Sequence, residues 1–267
     1  MAISVPEQGR LRHPISYFRT ELYATPAYRS DTPWCIRAVS EGIRLTSISD
    51  YQHYKQDISS DLDGTPFHSG DFRSFGHLDS VNQEIRLSGT SSSLEWILGA
   101  NYTHVSVVDN SLSMIGDVSV NQVDPDLPRF NAFGIISTTK LNNYAIFGNI
   151  EYKIAHHISL LGGARFTQSN RSFNGCSTAP NSSTADQFEA LQSIIKGSSI
   201  PIELGGCLTF DANFNPTLFK SKLNENNLSI RAGINYKSAG DTLLYATYNR
   251  GYKAGADSDV IARSVPI

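Results

Sequence analysis

The chain has 267 residues, of which 40% are hydrophobic and 18% are charged, and its formal net charge is −3. The charges are dispersed, so the sequence lacks the basic face that indicates nucleic-acid binding. No run of residues approaches the roughly 18 consecutive apolar positions of a membrane-spanning helix. A half-polar composition is nevertheless compatible with a transmembrane β-barrel, whose strands expose only every second side chain to lipid.

Alternation of apolar and polar residues predicts about eight strands in four hairpins. A period of two is what a pleated strand requires, and a helix would scramble the two faces. The first hairpin is the weakest and the third the clearest, with Tyr144, Ile146 and Ile150 on one face against Asn149 and Glu151 on the other. In chain order the hairpins cover residues 34–51, 84–102, 144–167 and 228–252.

The connections alternate between short and long. Turns inside the hairpins span only a few residues, whereas the segments 57–78, 109–139 and 172–223 are long and rich in Gly, Pro, Asn, Ser and Asp. Outer-membrane barrels combine short periplasmic turns with long extracellular loops, while a soluble sandwich more often has short loops at both ends. We therefore predict an all-β, antiparallel, partial transmembrane barrel over residues 34–256, with a leader or loop at 1–33 and a truncated loop at 257–267.

Aromatic residues are placed as such a barrel requires. Tyr144 and Tyr152 lie at opposite ends of one apolar face, where amphipathic rings meet the lipid headgroups. Four further rings are predicted at strand ends: Tyr102, Phe166, Tyr236 and Tyr252. The same rings could instead cap the core of a soluble sheet, and the asymmetry of turns and loops favours the membrane.

Three cysteines are present. Cys176 and Cys207 bracket one long polar segment, and in a secreted protein such a pair predicts a loop-closing disulfide. Cys35 is left over, and we expect it to be a free thiol buried in a strand.

No Cys or His lies at metal-ligand spacing, and no phosphate loop or nucleophile motif is present. We therefore expect no metal, no cofactor and no enzymatic activity.

Four segments resemble the barrels of TonB-dependent receptors. Residues 248–255 read Tyr-Asn-Arg-Gly-Tyr-Lys-Ala-Gly, similar to a family segment that often ends GYKAGG. Residues 143–152 with 162–167, and residues 82–88 with 96–100, are similar to two family hairpins, and residues 45–49 with 61–63 resemble the stretch that precedes them. The four occur in the family's usual order, although Ala256 stands where a second glycine is usual.

The resemblance implies a location in the outer membrane of a Gram-negative bacterium, among its lipids. It implies active uptake of a scarce nutrient such as a ferric siderophore, energised by the TonB complex. Neither the family's plug domain nor its TonB-contacting box is recognisable in this sequence. Residues 1–7 also lack the pattern of a secretory signal. We therefore expect an interior segment of a receptor barrel.

Candidate ligand-binding residues are few. Arg250 and Lys253 flank Gly251 and are predicted at the extracellular rim, where they either attract an anionic ligand or reach towards headgroups. Charged residues on the polar face either line a channel and hold the plug or form cross-strand pairs that stabilise the wall. They are Arg44, Asp50, Glu84, Arg86, Glu95, Glu151, Lys153, Arg165, Arg231 and Lys237.

Two alternative functions remain open, a passive small outer-membrane barrel and a soluble carbohydrate-binding β-sandwich.

Overall fold

The computed structural model describes residues 23–24, 28–31, 34–40, 42–61, 64, 70–115, 124–127, 129–238, 240 and 242–255. These residues form ten strands and one helix. The strands are β1 (Tyr23–Ala24), β2 (Tyr28–Asp31), β3 (Trp34–Ser40), β4 (Ile43–Asp61), β5 (Asp71–Thr90), β6 (Leu94–Met114), β7 (Ala132–Ala155), β8 (Ile158–Thr178), β9 (Phe219–Lys237) and β10 (Leu243–Arg250), and helix α1 (Ser182–Lys196) lies between β8 and β9.

All ten strands belong to one antiparallel sheet. Strands β4 to β10 follow one another in chain order, and β1, β2 and β3 all pair with β4. The four predicted hairpins are confirmed as β3–β4, β5–β6, β7–β8 and β9–β10. Within the described residues the sheet is open, because β10 pairs only with β9. The architecture is that of a partial, unclosed barrel wall.

The strands are longer than the sequence predicts. Strands β4 to β9 contain 19 to 24 residues each, about twice the predicted length. They continue into the polar segments that we predicted as loops, because a polar sequence can still form an unbroken ladder of backbone hydrogen bonds. The prediction of loops over 57–78, 109–139 and 172–223 is therefore wrong at the ends of each segment. Two short strands, β1 and β2, also lie in segment 1–33, predicted as leader or loop, whereas 257–267 lies outside the described residues.

The two faces of the sheet differ in exposure. The outer face is the alternating set that contains Leu45, Leu87, Leu98 and Ile146, which the strand register places on one side. Ile146 is 63% exposed, whereas its neighbour Ala145 on the opposite, lumen face is 5% exposed. An apolar, exposed outer face is the arrangement expected of a wall that contacts lipid.

Aromatic rings border the apolar part of the outer face. Tyr102 and Tyr144 are opposite each other on β6 and β7, with ring centroids 5.0 Å apart, and Tyr152 lies eight residues from Tyr144 on the same strand. At about 3.3 Å per residue this separation is about 26 Å along the strand, which at a tilt of about 40° is about 20 Å along the membrane normal, slightly less than the roughly 25 Å apolar band of a barrel. Phe166 is an exception to the prediction, because it pairs with Ile146 inside the band.

A small helical cap, residues 179–218, connects β8 to β9. Its core consists of Ala179, Ala185, Ile202 and Leu208, with Phe188 packed against them. Helix α1 begins after Asn181, whose side chain accepts from the Thr184 amide, and ends at Gly197 in the left-handed conformation. In the described part of the chain, no helix has the length and apolarity needed to cross a membrane.

The cap packs on the tops of β7 and β8. Four outer-face positions are buried there, at Ala132, Gly134, Cys176 and Thr178. Cys176 and Cys207 form a disulfide with a Cα–Cα distance of 5.6 Å. The bond joins the end of β8 to the cap. Cys35 is a free thiol in β3, and it is exposed rather than buried as expected.

Candidate functional site

The lumen face carries the charged residues that alternation assigned to it. The strand register places all ten on the face opposite Leu98 and Ile146. Several take part in local contacts along the wall: Arg86 with Glu84, Lys153 with Glu95 at 3.7 Å, and the Ser159 hydroxyl with Glu151 at 2.6 Å. These contacts match the wall-stabilising interpretation for those residues.

Two lumen-face arginines behave differently. Arg165 and Arg231 line one depression of about 340 Å³ on β7 to β10, and its lining includes no carboxylate. Asn149 and Asn249 contribute amides to the same depression. Arg250 also borders it, but Arg250 pairs with Ile230, so the register places its side chain on the outer face. A concave surface with two guanidinium groups and two amides suits an anionic, hydrogen-bonding ligand.

Arg165 is held in place by its neighbours. Its Nη2 donates to Asn101 Oδ1 at 2.8 Å, its Nε donates to Thr167 Oγ1 at 3.3 Å, and its guanidinium lies 5.5 Å from the centre of the Phe147 ring. All of these partners are uncharged. The positive charge of Arg165 is therefore oriented but not neutralised by them.

Arg231 has no ion pair with another described residue. It pairs across the sheet with Gly163 on β8 and with Asn249 on β10. A second depression, of about 450 Å³ and nearer the turns, is lined by Arg231 together with Glu95 and Glu151. Arg231 thus separates a lumen region rich in arginine from one that contains carboxylates.

The lumen face changes character above the aromatic border. Along the extensions of β4 to β9, the lumen positions carry scattered apolar side chains among a larger number of polar ones, mostly Ser, Thr, Asn and Gln, and the outer positions are mostly polar. The Phe173 and Phe219 rings lie 6.2 Å apart on this wall. The larger apolar residues of this mouth wall are Tyr54, Ile58, Phe72, Leu78, Val105, Val107, Phe133, Ile135, Leu141, Phe173, Phe219 and Leu223.

Sequence reasoning missed the mouth wall because it treated these segments as loops. The available signal was the alternation itself, which continues through Phe133, Ile135 and Leu141 after changing face. Beyond the aromatic border, apolar side chains occur on both faces, with Ile135 and Leu141 on the lumen face and Leu112 and Ile136 on the outer face. The mouth wall therefore offers a ligand apolar patches together with hydroxyl and amide groups.

The predicted rim residues lie near this mouth. Arg250 is the last residue of β10 and borders the arginine depression from the outer-face side, and Lys253 is exposed three residues later. The chain then approaches β9, where the Gly255 amide donates to Glu225 Oε2 at 2.9 Å. A role of Arg250 and Lys253 in ligand binding stays a prediction.

Tyr252 does not face lipid as its spacing from Tyr248 predicts. Burial and a hydrogen bond with Glu225, a lumen-face residue, raise its pKa above the ordinary value. The reason is that β10 ends at Arg250, so alternation no longer sets the direction of later side chains. Tyr252 belongs to the mouth wall rather than to the lipid-facing surface.

Histidine and carboxylate groups form one small cluster on the outer face. His53 Nδ1 lies 2.7 Å from Asp79 Oδ1, and His77 Nε2 lies 3.9 Å from Asp79 Oδ2. Among the described residues, no group of three or more His, Cys, Asp or Glu side chains is arranged to hold a metal ion. His156 and His157 form the β7–β8 turn, and His157 Nδ1 lies 2.7 Å from the Lys237 carbonyl oxygen.

Comparisons with known proteins agree with this wall. The family described as "TonB dependent receptor-like, beta-barrel" matches residues 7–265. The chain is similar to the crystal structure of the ferric yersiniabactin uptake receptor FyuA from Yersinia pestis, with a TM-score of 0.55 and 13% identity. The likeness covers 79% of this chain and 26% of that receptor, so the chain spans about a quarter of its length. At this identity the likeness shows the fold alone, and no curated protein matches the chain.

Proposed function

Because the chain belongs to the family of TonB-dependent receptor β-barrels, we propose that it forms part of the wall of an outer-membrane receptor for a scarce nutrient. The family is one of receptors and transporters and not of enzymes. The nutrient we propose is a bulky organic anion of the ferric-siderophore type. Its location, in this proposal, is the outer membrane of a Gram-negative bacterium.

The observation that carries the proposal is the sequence of surfaces along the lumen face. A mouth wall with apolar patches among polar side chains leads to a depression where Arg165 and Arg231 lie without a carboxylate. Apolar patches can bind the organic body of a ligand, and guanidinium groups can bind its anionic oxygens. A small hydrophilic solute would gain little from the apolar patches, which is why we favour the larger ligand.

The TonB complex is the partner that we propose for the whole receptor. In the family it acts on a plug domain inside the barrel, whereas the family match of this chain is to the barrel. The role assigned to this wall is therefore to bind and guide the nutrient. Energy-dependent release would depend on other parts of the receptor.

Uptake by the receptor in its own host tests the proposal. We expect radiolabelled ferric siderophore to accumulate in a saturable manner and to stop accumulating when a protonophore is added. Arg231→Gln should raise the half-saturating concentration about tenfold or more, because it removes charge-assisted hydrogen bonds worth about 1.5 to 3 kcal/mol. Lys153→Gln is the matched control, since it removes one lumen charge near the turns, next to Glu95.

Other outcomes favour the alternatives. Uptake that does not saturate and continues with the protonophore would indicate a passive barrel. Recovery of the protein from the soluble fraction would favour the carbohydrate-binding sandwich, although the described strands form one sheet and a sandwich needs two. Equal effects of Arg231→Gln and Lys153→Gln would refute the assigned role of the arginine depression.

A further inference from the structure

Basic residues cluster on the outer face just above the aromatic border. On β6 to β9, the outer positions beyond Tyr102, Tyr144 and Phe166 include three lysines and one histidine, and none of them is Asp or Glu. We call this group the basic belt, and it consists of His104 on β6, Lys140 on β7, and Lys220 and Lys222 on β9. The function proposed above uses the lumen face, so it does not account for the belt.

The strand register brings the lysines together. Lys140 pairs with Ser172, and Ser172 pairs with Lys222. Two strand spacings of about 4.8 Å place the two lysine backbones about 10 Å apart. Lys220 lies two residues from Lys222 on the same face. Flexible side chains on such backbones can converge on one anionic group from both sides.

Polar neighbours of the belt can also bind oxygen atoms. Asn142 and Asn170 form the cross-strand pair two residues below Lys140 and Ser172. His104 Nδ1 lies 2.8 Å from Asn142 Oδ1. The three lysines are exposed, and none forms an ion pair with a carboxylate of the described residues. The belt therefore has uncompensated positive charge and amide or hydroxyl groups around it.

The outer face of β4 and β5 is different. Asp79, which is in the same cross-strand row as Lys140, lies next to His53 and His77. Six residues farther along β5, Arg73 Nη2 lies 2.6 Å from Asp57 Oδ2, and Lys55 is two residues from the same Asp57. On the described outer face, carboxylates therefore accompany the basic groups of β4 and β5, whereas the basic belt has none.

The height of the belt corresponds to lipid headgroups. Lys140 lies four residues beyond Tyr144, which is about 13 Å along the strand and about 10 Å along the membrane normal at a tilt of about 40°. Tyrosine rings mark the boundary between acyl chains and headgroups. Lysine side chains above that boundary can reach phosphate groups attached to the lipids.

We propose that the basic belt binds the phosphate groups of a phosphorylated glycolipid in the outer leaflet. The inference rests on the outer-membrane location given under the proposed function and is independent of nutrient uptake. A free phosphate ion shares the chemistry, but the position of the belt directly above a lipid-facing aromatic border favours a lipid. Each lysine should contribute about fivefold to the affinity.

Lipid titration of the purified receptor tests the proposal. The intact receptor is kept in micelles of an uncharged detergent. It is titrated separately with bis-phosphorylated lipid A, with dephosphorylated lipid A and with inorganic phosphate. Native mass spectrometry counts the bound lipid. We expect retention of the bis-phosphorylated lipid and at least tenfold weaker retention of the dephosphorylated one. Inorganic phosphate at millimolar concentration should not displace the lipid. This comparison uses unaltered protein, so it does not depend on the folding of a variant.

Substitutions then locate the site. Lys140→Gln with Lys222→Gln should weaken binding about 25-fold, whereas the arginine replacements K140R and K222R should retain it. The matched control is Lys153→Gln with Lys196→Gln, which removes the same charge from the lumen face and from the end of α1. Equal binding of both forms of lipid A, equal losses in the control pair, or displacement by inorganic phosphate would each overturn the proposal. Loss of nutrient uptake with lipid binding intact would count against the proposed function alone.

Discussion

The disulfide between Cys176 and Cys207 should determine whether the helical cap stays folded. The cap has only four buried apolar residues in its core, and two of them are alanines. Burial of such small side chains provides little stabilisation. The bond links residues 31 apart in sequence, and a closed loop of this size lowers the entropy of the unfolded segment by the equivalent of about 4 kcal/mol.

That figure is an upper limit for local unfolding of the cap. The pairing of Gly175 with Phe219 already closes a larger loop around the cap, so the disulfide subdivides a segment whose ends are fixed. The loop-closure relation then gives about 3 kcal/mol. Replacing both cysteines with serine should therefore raise the fraction of molecules with an open cap about a hundredfold.

Limited proteolysis measures this opening. Lys196 is exposed at the end of α1, so trypsin can cleave after it when the cap opens. Cleavage should be up to about a hundredfold faster in the Cys176→Ser, Cys207→Ser variant. Reduced wild-type protein should show the same increase. Cys35→Ser is the control, because this thiol is free and lies on β3. Cleavage at the wild-type rate in both the double variant and the reduced protein would refute the reasoning.

The remaining predictions concern the cap and the strand extensions. Gln187 is fully buried and its side chain hydrogen-bonds the backbone of segment 124–127 to α1. Gln187→Ala should therefore destabilise the cap by about 1 to 3 kcal/mol. Faster hydrogen exchange in α1 of this variant, and not in the exposed control Ser193→Ala, would verify the prediction. A Cβ at Gly76 would lie 2.0 Å from a backbone oxygen of β6, so Gly76→Ala should destabilise the β5–β6 extension by about 1 to 3 kcal/mol. A Cβ at Gly251 would meet no atom within 4 Å, so hydrogen exchange in the control Gly251→Ala should match that of the wild type. Similar hydrogen exchange in both glycine variants would contradict the clash predicted at Gly76. Hydrogen bonds from backbone amides hold the pKa of Asp211 below its ordinary value. The contribution of Asp211 to cap stability should therefore be complete above about pH 4 and be lost only as the pH falls below that. An NMR titration midpoint of Asp211 at or above about 3.9 would disprove this.

The sequence was sufficient to predict the hairpins because both signals that define them are local. Alternation in 144–154 identifies the lipid-facing side chains, and the short turn at 155–157 fixes the pairing of β7 with β8. The arginine depression was not predictable in the same way. Arg165 and Arg231 come from two strands, β8 and β9, and their proximity depends on the register between these strands, which no local pattern reveals.

The cap illustrates a second limit. Its helix has no continuous apolar face, and polar side chains such as Thr184, Gln187 and Gln192 fill the interior of the cap and donate hydrogen bonds to backbone carbonyl groups. Hydrophobic periodicity cannot reveal a helix whose buried positions are polar. The cysteine pair did indicate a closed loop, but cysteine spacing does not specify what folds inside the loop.

The change of pattern along each long strand explains both the successes and the errors. Within the apolar band, one set of alternating side chains is apolar, and that set defines the outer face. Above Tyr144, Lys140 and Asn142 take outer positions while Leu141 and Ile135 take lumen positions, and Ile136 stays on the outer face. An interpretation that assumes one apolar face per strand stops at this point and predicts a loop. In the receptor wall that we propose, the loss of strict alternation coincides with the outer membrane boundary, where the basic belt meets lipid phosphates.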